Sequence, residues 1–192
     1  MNVYDFDGTI YHGDSSYDFY FYLLLHYPKV IKFFPVFFAE FLKYQLKIST
    51  KTLMKETFYR YLTCFEKGKI HDIVTDFWKI YRKNIYKWYK DQYKPTDVII
   101  SASPRYLLAP ICEEHGIKNL ICSEVDPYTG EYTGINCYGE EKVRRFCEKF
   151  LIKDIDEFYS DSISDAPMAR LAKKAFLVTR TGKRFEWPKS KL

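Results

Sequence analysis

The chain has 192 residues, 47% of them hydrophobic and 19% aromatic, and a formal net charge of +5 at pH 7. That length suits one domain carrying an insertion, or two small domains. Five cysteines without CxxC spacing and four scattered histidines argue against a disulfide framework and a structural zinc site, so free thiols in a reducing cytoplasm are expected.

The first apolar run, residues 3–6, overlaps Asp5-Phe6-Asp7-Gly8-Thr9, so no signal peptide is expected ahead of it. Residues 17–93 have a different composition from the rest. They hold most of the Phe, Trp and Tyr residues and twice as many Lys and Arg as Asp and Glu, whereas the remainder is slightly acidic. Within them the stretch 19–42 is the most apolar. It is broken by His26, Pro28, Lys29, Lys32, Pro35 and Glu40, so no membrane-spanning helix is expected. Pro28 should separate two helices and Pro35 should kink or restart the second. Residues 49–65 carry Leu53, Met54, Phe58, Tyr61, Leu62 and Phe65 at helical spacing. After Gly68, the series Ile70, Ile73, Val74, Phe77, Tyr81, Ile85, Trp88 and Tyr89 traces one face of a further helix. Residues 17–93 therefore read as an inserted helical bundle.

Beyond the insert, short apolar runs at 98–100, 120–122, 157–159 and 176–178 alternate with helical patterns at 106–115, 140–150 and 166–173. Residues 126–130 read as a turn and 131–137 as a returning strand. The alternation predicts an α/β fold with a parallel sheet flanked by helices, built from residues 1–16 and 94–192.

Ligands of such sheets bind beyond the carboxyl ends of the strands. Asp5 and Asp7 follow the first run, Ser101-Ala102-Ser103 the second, and Ser160-Asp161-Ser162-Ile163-Ser164-Asp165 a later one. Carboxylates gathered at one edge resist ionisation together. A hard cation relieves that repulsion, and Mg²⁺ needs few protein oxygens, which Asp5 and Asp161 can supply. The alternative for each acid is helix capping, most plainly for Asp165 before Ala166-Pro167.

In order and spacing, these segments resemble the haloacid dehalogenase (HAD) superfamily, and within it subfamily IB, which includes phosphoserine phosphatase. The first motif is matched by residues 5–10, the second by Ser101, the third by Lys142 and the fourth by Asp161 and Asp165. The resemblance implies a Rossmann-like core with a helical cap of the C1 type, and a Mg²⁺-dependent phosphatase. Asp5 would be the nucleophile and Asp7 the general acid and base. Asp5, the Asp7 carbonyl and Asp161 would hold the metal. Ser101 and Lys142 would bind the phosphoryl group, and Asp165 would orient Lys142 and metal-bound water. Dehalogenating relatives lack an acid at the position of Asp7, which favours phosphoester hydrolysis. Two departures stand out. Ser160 occupies a position that is commonly Gly, and Asp14 stands nearest to the Glu with which phosphoserine phosphatases recognise their substrate.

An insertion between the first and second motifs implies a cap that closes over the site, with Asp14, Ser15 and Ala102 within reach of a substrate. The expected partner is a small phosphorylated metabolite. The alternative is a phospholipid headgroup such as phosphatidylglycerophosphate, with Lys29, Lys32, Lys43 and Lys47 near headgroups and Phe33, Phe34, Phe37, Phe38 and Phe41 in the membrane interface. No nucleic-acid motif is present and no such partner is expected.

Overall fold

In the computed structural model, which describes residues 1–191, β1 (Asn2–Tyr4), β2 (Val98–Pro104), β3 (Asn119–Ser123), β4 (Glu157–Ser160), β5 (Lys174–Val178) and β6 (Arg184–Glu186) form one sheet. Its order is β3-β2-β1-β4-β5-β6. The first five strands are parallel, and β6 closes the edge antiparallel to β5. The chain runs from β1 outward to β3, then crosses to β4 on the other side of β1. The β1–β4 junction is thus the switch point at which such sheets open a crevice.

Alternation along the strands divides two cores. Val3, Val98, Ile100, Ile121 and Phe158 face α7 (Glu140–Cys147) and α8 (Ala166–Ala169), packing with Phe146 and Met168. Tyr4, Ile99, Leu120 and Tyr159 face the other way. There they join α6 (Arg105–Glu114) and the inserted helices in a single cluster.

Between β1 and β2 the chain forms α1 (Ser15–His26), α2 (Phe34–Gln45), α3 (Lys51–Tyr59), α4 (Lys69–Tyr81) and α5 (Lys87–Gln92), so the first helix begins two residues before the insert expected from the sequence. Asp14 caps α1 by accepting from the N–H groups of Ser16 and Tyr17, at 2.9 and 3.1 Å. Pro28 opens a 3₁₀ turn, Pro28–Phe33, and Pro35 lies in the first turn of α2, restarting the helix as its missing N–H allows. The buried Trp78 indole donates to the Leu107 carbonyl at 2.7 Å, which fastens α4 to α6.

Three expectations are corrected. The face from Ile70 to Tyr89 is not one helix: after the 3₁₀ turn Arg82–Asn84, Ile85 is extended and pairs with Tyr11, and the Tyr86 N–H donates to the Ile10 carbonyl. Backbone pairing with the loop after β1 outweighs helix continuation there. Residues 131–137 are not a strand; one bridge, Val125 to Tyr132, remains. Ser123 instead holds this segment through its hydroxyl, which accepts from the Cys137 N–H and pairs with Asn136. The helix expected over 166–173 ends at Ala169. All five cysteines are free. Among the described residues, no helix is long and apolar enough to cross a membrane.

Candidate active site

Asp5 leaves β1 with its N–H still bonded to the Tyr159 carbonyl of β4 at 2.9 Å, so the ladder fixes it at the switch point. Gly8 follows at φ +70°, where a Cβ would lie 2.2 Å from Asp161 Oδ2. The loop after β1 and the loop after β4 therefore touch through a position open only to glycine. Thr9, fully buried, adds a second tie by accepting from the Asp161 N–H at 2.9 Å.

Lys142, in the first turn of α7, is buried and bridges two carboxylates, at 2.9 Å to Asp5 Oδ1 and 2.8 Å to Asp165 Oδ2. Arg145 anchors the same helix to the end of β3 by donating to the Cys122 carbonyl at 2.7 Å. Asp165 stands at the start of α8 without capping it; its carboxylate faces Lys142 and accepts from Ser160 Oγ at 2.7 Å. The capping alternative thus fails for this residue. Ser160, the residue that departs from the expected motif pattern, supports the carboxylate that orients the lysine.

Asp7 accepts from the Ser15 N–H at 2.6 Å and from the Ser103 hydroxyl at 2.5 Å. Ser101 is buried, and its hydroxyl accepts from the Ser103 N–H at 3.1 Å. Ser101 and Ser103, two apart on β2, point the same way. Ser103 lies close enough in sequence to compete with Ser101 for the second-motif position, and both serines border the cavity, with Ser103 bonded to Asp7.

These residues line a cavity of about 640 Å³ between the sheet edge and the insert. Asp5, Asp7, Asp14, Ser101, Ala102, Lys142, Asp161 and Asp165 all border it. Ser15 is the exception among the expected contacts: its hydroxyl is fully buried off that wall, its N–H serves Asp7, and Ser16 faces the cavity instead. The opposite wall comes from α3, which contributes Lys51, Met54, Lys55, Phe58 and Tyr59. Both lysines escaped the sequence reading because α3 was read only for its apolar spacing. The turn at 126–130 braces this wall. Gly130, at φ +80°, lies so close to Tyr59 that a Cβ would come within 2.5 Å of its carbonyl oxygen, and Glu56 accepts from the Tyr132 N–H at 3.1 Å.

The electrostatics follow from burial. Asp5 is pushed up to about 8 by burial; Lys142 opposes this, and Asp165 and Asp161 add to it. Asp7 rises to about 6 through burial and the Asp14 carboxylate, against hydrogen bonds from Ser103 and Ser15. Asp161 also reaches about 6, through burial and then Asp165. Burial works against the Lys142 charge, yet Asp5 and Asp165 hold it above the ordinary lysine value. The cluster is therefore short of positive charge. Asp5 and Asp161 present hard carboxylate oxygens to one cavity, a donor type that suits Mg²⁺. Among the described residues no three His, Cys, Asp or Glu side chains form a metal-binding group.

A sheet covered on both faces, with a cluster of carboxylates and a buried lysine at its switch point, defines an α/β protein of the Rossmann-like type. Residues 3–170 match the family model described as haloacid dehalogenase-like hydrolase, and the chain belongs to that family. Among curated proteins it is 29% identical to a histidinol-phosphatase of Neisseria meningitidis serogroup C (strain 8013), over 42% of this chain and 42% of that protein. The match thus spans less than half of that relative. Among solved structures, a protein of unknown function from Bordetella pertussis Tohama I superposes with a TM-score of 0.75 at 18% identity, covering 93% of this chain and 89% of that one. A substrate-bound phosphoserine phosphatase superposes with a TM-score of 0.54 at 12% identity, covering 90% and 82%. At these identities the likeness to the solved structures is one of fold.

Proposed function

We propose that the protein is a Mg²⁺-dependent phosphatase that hydrolyses a phosphomonoester through an aspartyl-phosphate on Asp5. The observation that carries this reading is the pairing of unlike carboxyls: Asp5 is ion-paired directly with Lys142, while Asp7, nearby and raised to about 6, is held by hydrogen bonds from Ser15 and Ser103 instead. One is placed to attack and the other to move a proton.

In this reading Asp5 attacks phosphorus while Asp7 gives its proton to the leaving oxygen. Asp7 then takes a proton from the water that cleaves the acyl phosphate. Lys142 compensates charge on the phosphoryl oxygens and on Asp5, and Ser101 donates to one of those oxygens. The Ser15 and Ser103 hydrogen bonds hold the Asp7 carboxyl in position. Asp165 keeps Lys142 aimed at Asp5. The carboxylates of Asp5 and Asp161 and the carbonyl of Asp7 are the groups that would hold Mg²⁺, whose charge offsets that of the transferring group. Residues 17–93 act as the cap, excluding water from the cavity. Phosphate release from phenyl phosphate, measured with Mg²⁺ and with EDTA, tests the proposal. Turnover that ignores EDTA would remove the metal from it, and full activity in Asp5→Asn would remove the nucleophile.

A second reading, contact of the insert with an anionic membrane surface, rests on the outer face of α2. Phe34, Phe38 and Leu42 are exposed there, and just beyond the helix Leu46 and Ile48 are 70% and 74% exposed, near Lys43 and Lys47. Phe33, Phe37 and Phe41 are partly covered, so the expected aromatic face is narrower than the sequence implies. Co-sedimentation with phosphatidylglycerol vesicles at low salt tests it; absence of binding ends this reading.

A further inference from the structure

The cap-side wall of the cavity carries positive charge that the chemistry at the sheet edge does not use. Residues 51, 54, 55 and 58 lie on one face of α3, spaced by three and four, and all four side chains border the cavity. Lys142 is already neutralised by Asp5 and Asp165. The two α3 lysines touch only uncharged groups: Lys55 Nζ reaches the Ala102 carbonyl at 3.4 Å, and Lys51 Nζ sits over the Tyr138 ring, 3.5 Å from its centroid. A carbonyl at 3.4 Å is a weak partner for an ammonium group in a part-enclosed site.

We infer that the substrate carries a second anionic group on its leaving side, a carboxylate or a phosphate, which Lys55 binds with Lys51 beside it. This rests on the phosphatase reading above. The placement suits it. Ala102 adjoins Ser101, so Lys55 stands at the rim of the phosphoryl end, and Lys51 lies one helical turn further along the same wall. The second anion would therefore sit a short linker away from phosphorus, with Met54 and Phe58 against that linker. Burial and then Lys51 lower the Lys55 ammonium to about 8, with Asp14 and Asp7 opposing the shift. Two cations facing one cavity repel, and a bound anion relieves both. The same wall disfavours a leaving group whose only charge is a cationic amine.

The competing role for Lys55 is to balance the charge of Asp7 and Asp14, and ligand binding separates the two. Propylphosphonate, 3-phosphonopropionate and ethane-1,2-bisphosphonate share one two-carbon linker and differ only at the far end. Calorimetric titration of the Mg²⁺-loaded protein should show the two end-charged ligands binding roughly tenfold tighter or more than the plain one, the scale of a charge-assisted hydrogen bond. Comparing the carboxylate and phosphonate arms identifies the preferred anion. Lys55→Met should abolish most of that ratio, Lys51→Met part of it, and Lys55→Arg should retain it. Equal affinity of the three ligands for the wild-type protein, or uniform weakening of all three in Lys55→Met, overturns the inference. Because the ligands are not hydrolysed, failure of the phosphatase reading appears separately, as absent phosphate release from phenyl phosphate.

Discussion

The two walls of the cavity are built on different principles. On the sheet side, short polar residues sit at strand ends, and backbone ladders and hydrogen bonds fix each one: Asp5 through Tyr159, Asp161 through Thr9, Asp165 through Ser160. On the insert side, position comes from packed aromatic rings. Phe58 alone has Tyr17, Tyr20, Phe37, Tyr59 and Tyr61 within 5.6 Å, centroid to centroid. Hydrogen bonds have direction and place atoms closely, whereas apolar packing tolerates exchange of shape at constant volume. The sheet side is thus suited to one fixed chemistry, and the insert side to a choice of leaving group.

The contrast is broken most strongly at Asp5. In Asp5→Asn, phosphate release should fall by at least about 10³-fold, since the proposed nucleophile is gone. The fold should persist, because the amide oxygen can still accept from Lys142. Phosphate-release kinetics and a melting curve check both parts.

Next comes Phe77→Ala. Phe77 is fully buried against Phe19, Trp78 and Tyr81, with ring centroids 5.3, 4.8 and 4.5 Å away. Its truncation should cost about 3–5 kcal/mol, much of a typical domain's stability. Because inserted helices and sheet share one hydrophobic cluster, denaturant unfolding should remain a single transition. Two separate transitions would show that the walls are independent units.

How much of this was legible in the sequence divides along the same line. Strands β1 to β5 appear as short apolar runs since both faces of the sheet are covered, and the acids that follow them stand out against those runs. β6 was missed: Arg184, Phe185 and Glu186 are all exposed, so no burial pattern marks an edge strand that needs only one partner. The break before α5 was hidden because Ile85, Trp88 and Tyr89 keep facing the core on both sides of it. Lys51 and Lys55 were unreadable as site residues, since a lysine beside an apolar stripe normally faces solvent. What turns them into the cavity is the distant brace at Gly130 and Tyr132. Ser160 was read as a departure from the family pattern, and only its hydrogen bond to Asp165 gives it a role.

A smaller effect is expected at Gly8, where one methyl group probes how rigid the sheet wall is. Gly8→Ala places that methyl on Asp161 and demands φ near +70° of a residue with a Cβ. Stability should drop by more than about 1 kcal/mol, since both the positive φ and the contact with Asp161 oppose a side chain. Activity should fall much further, by roughly 10²-fold, as a small displacement of a positioned group allows. A shift in the Mg²⁺ concentration for half-maximal rate would locate the damage at Asp161. A loss of activity no larger than the loss of stability would mean that the wall yields as easily as the aromatic one.

The smallest effect tests the support behind Lys142. Glu141 accepts from Arg144 and Arg145 at 2.7 Å, and those hydrogen bonds, with Arg144 first, hold it at about 2 against an ordinary 4.5. A carboxyl whose folded value lies below its unfolded value stabilises the fold above the unfolded value and loses that contribution as pH falls toward the folded one. Between about pH 4.5 and 2 the wild-type protein should therefore lose stability that Glu141→Gln never had. At pH 7 the variant should melt lower, and the gap should narrow as the pH is lowered through that window. Arg145 also holds the Cys122 carbonyl, so α7 keeps its attachment to β3 in the variant and phosphate release at pH 7 should change little. A constant gap between the two melting curves from pH 7 to 3 would mean that the Arg forks contribute nothing through Glu141's charge, and that α7 is held by apolar packing as the insert is.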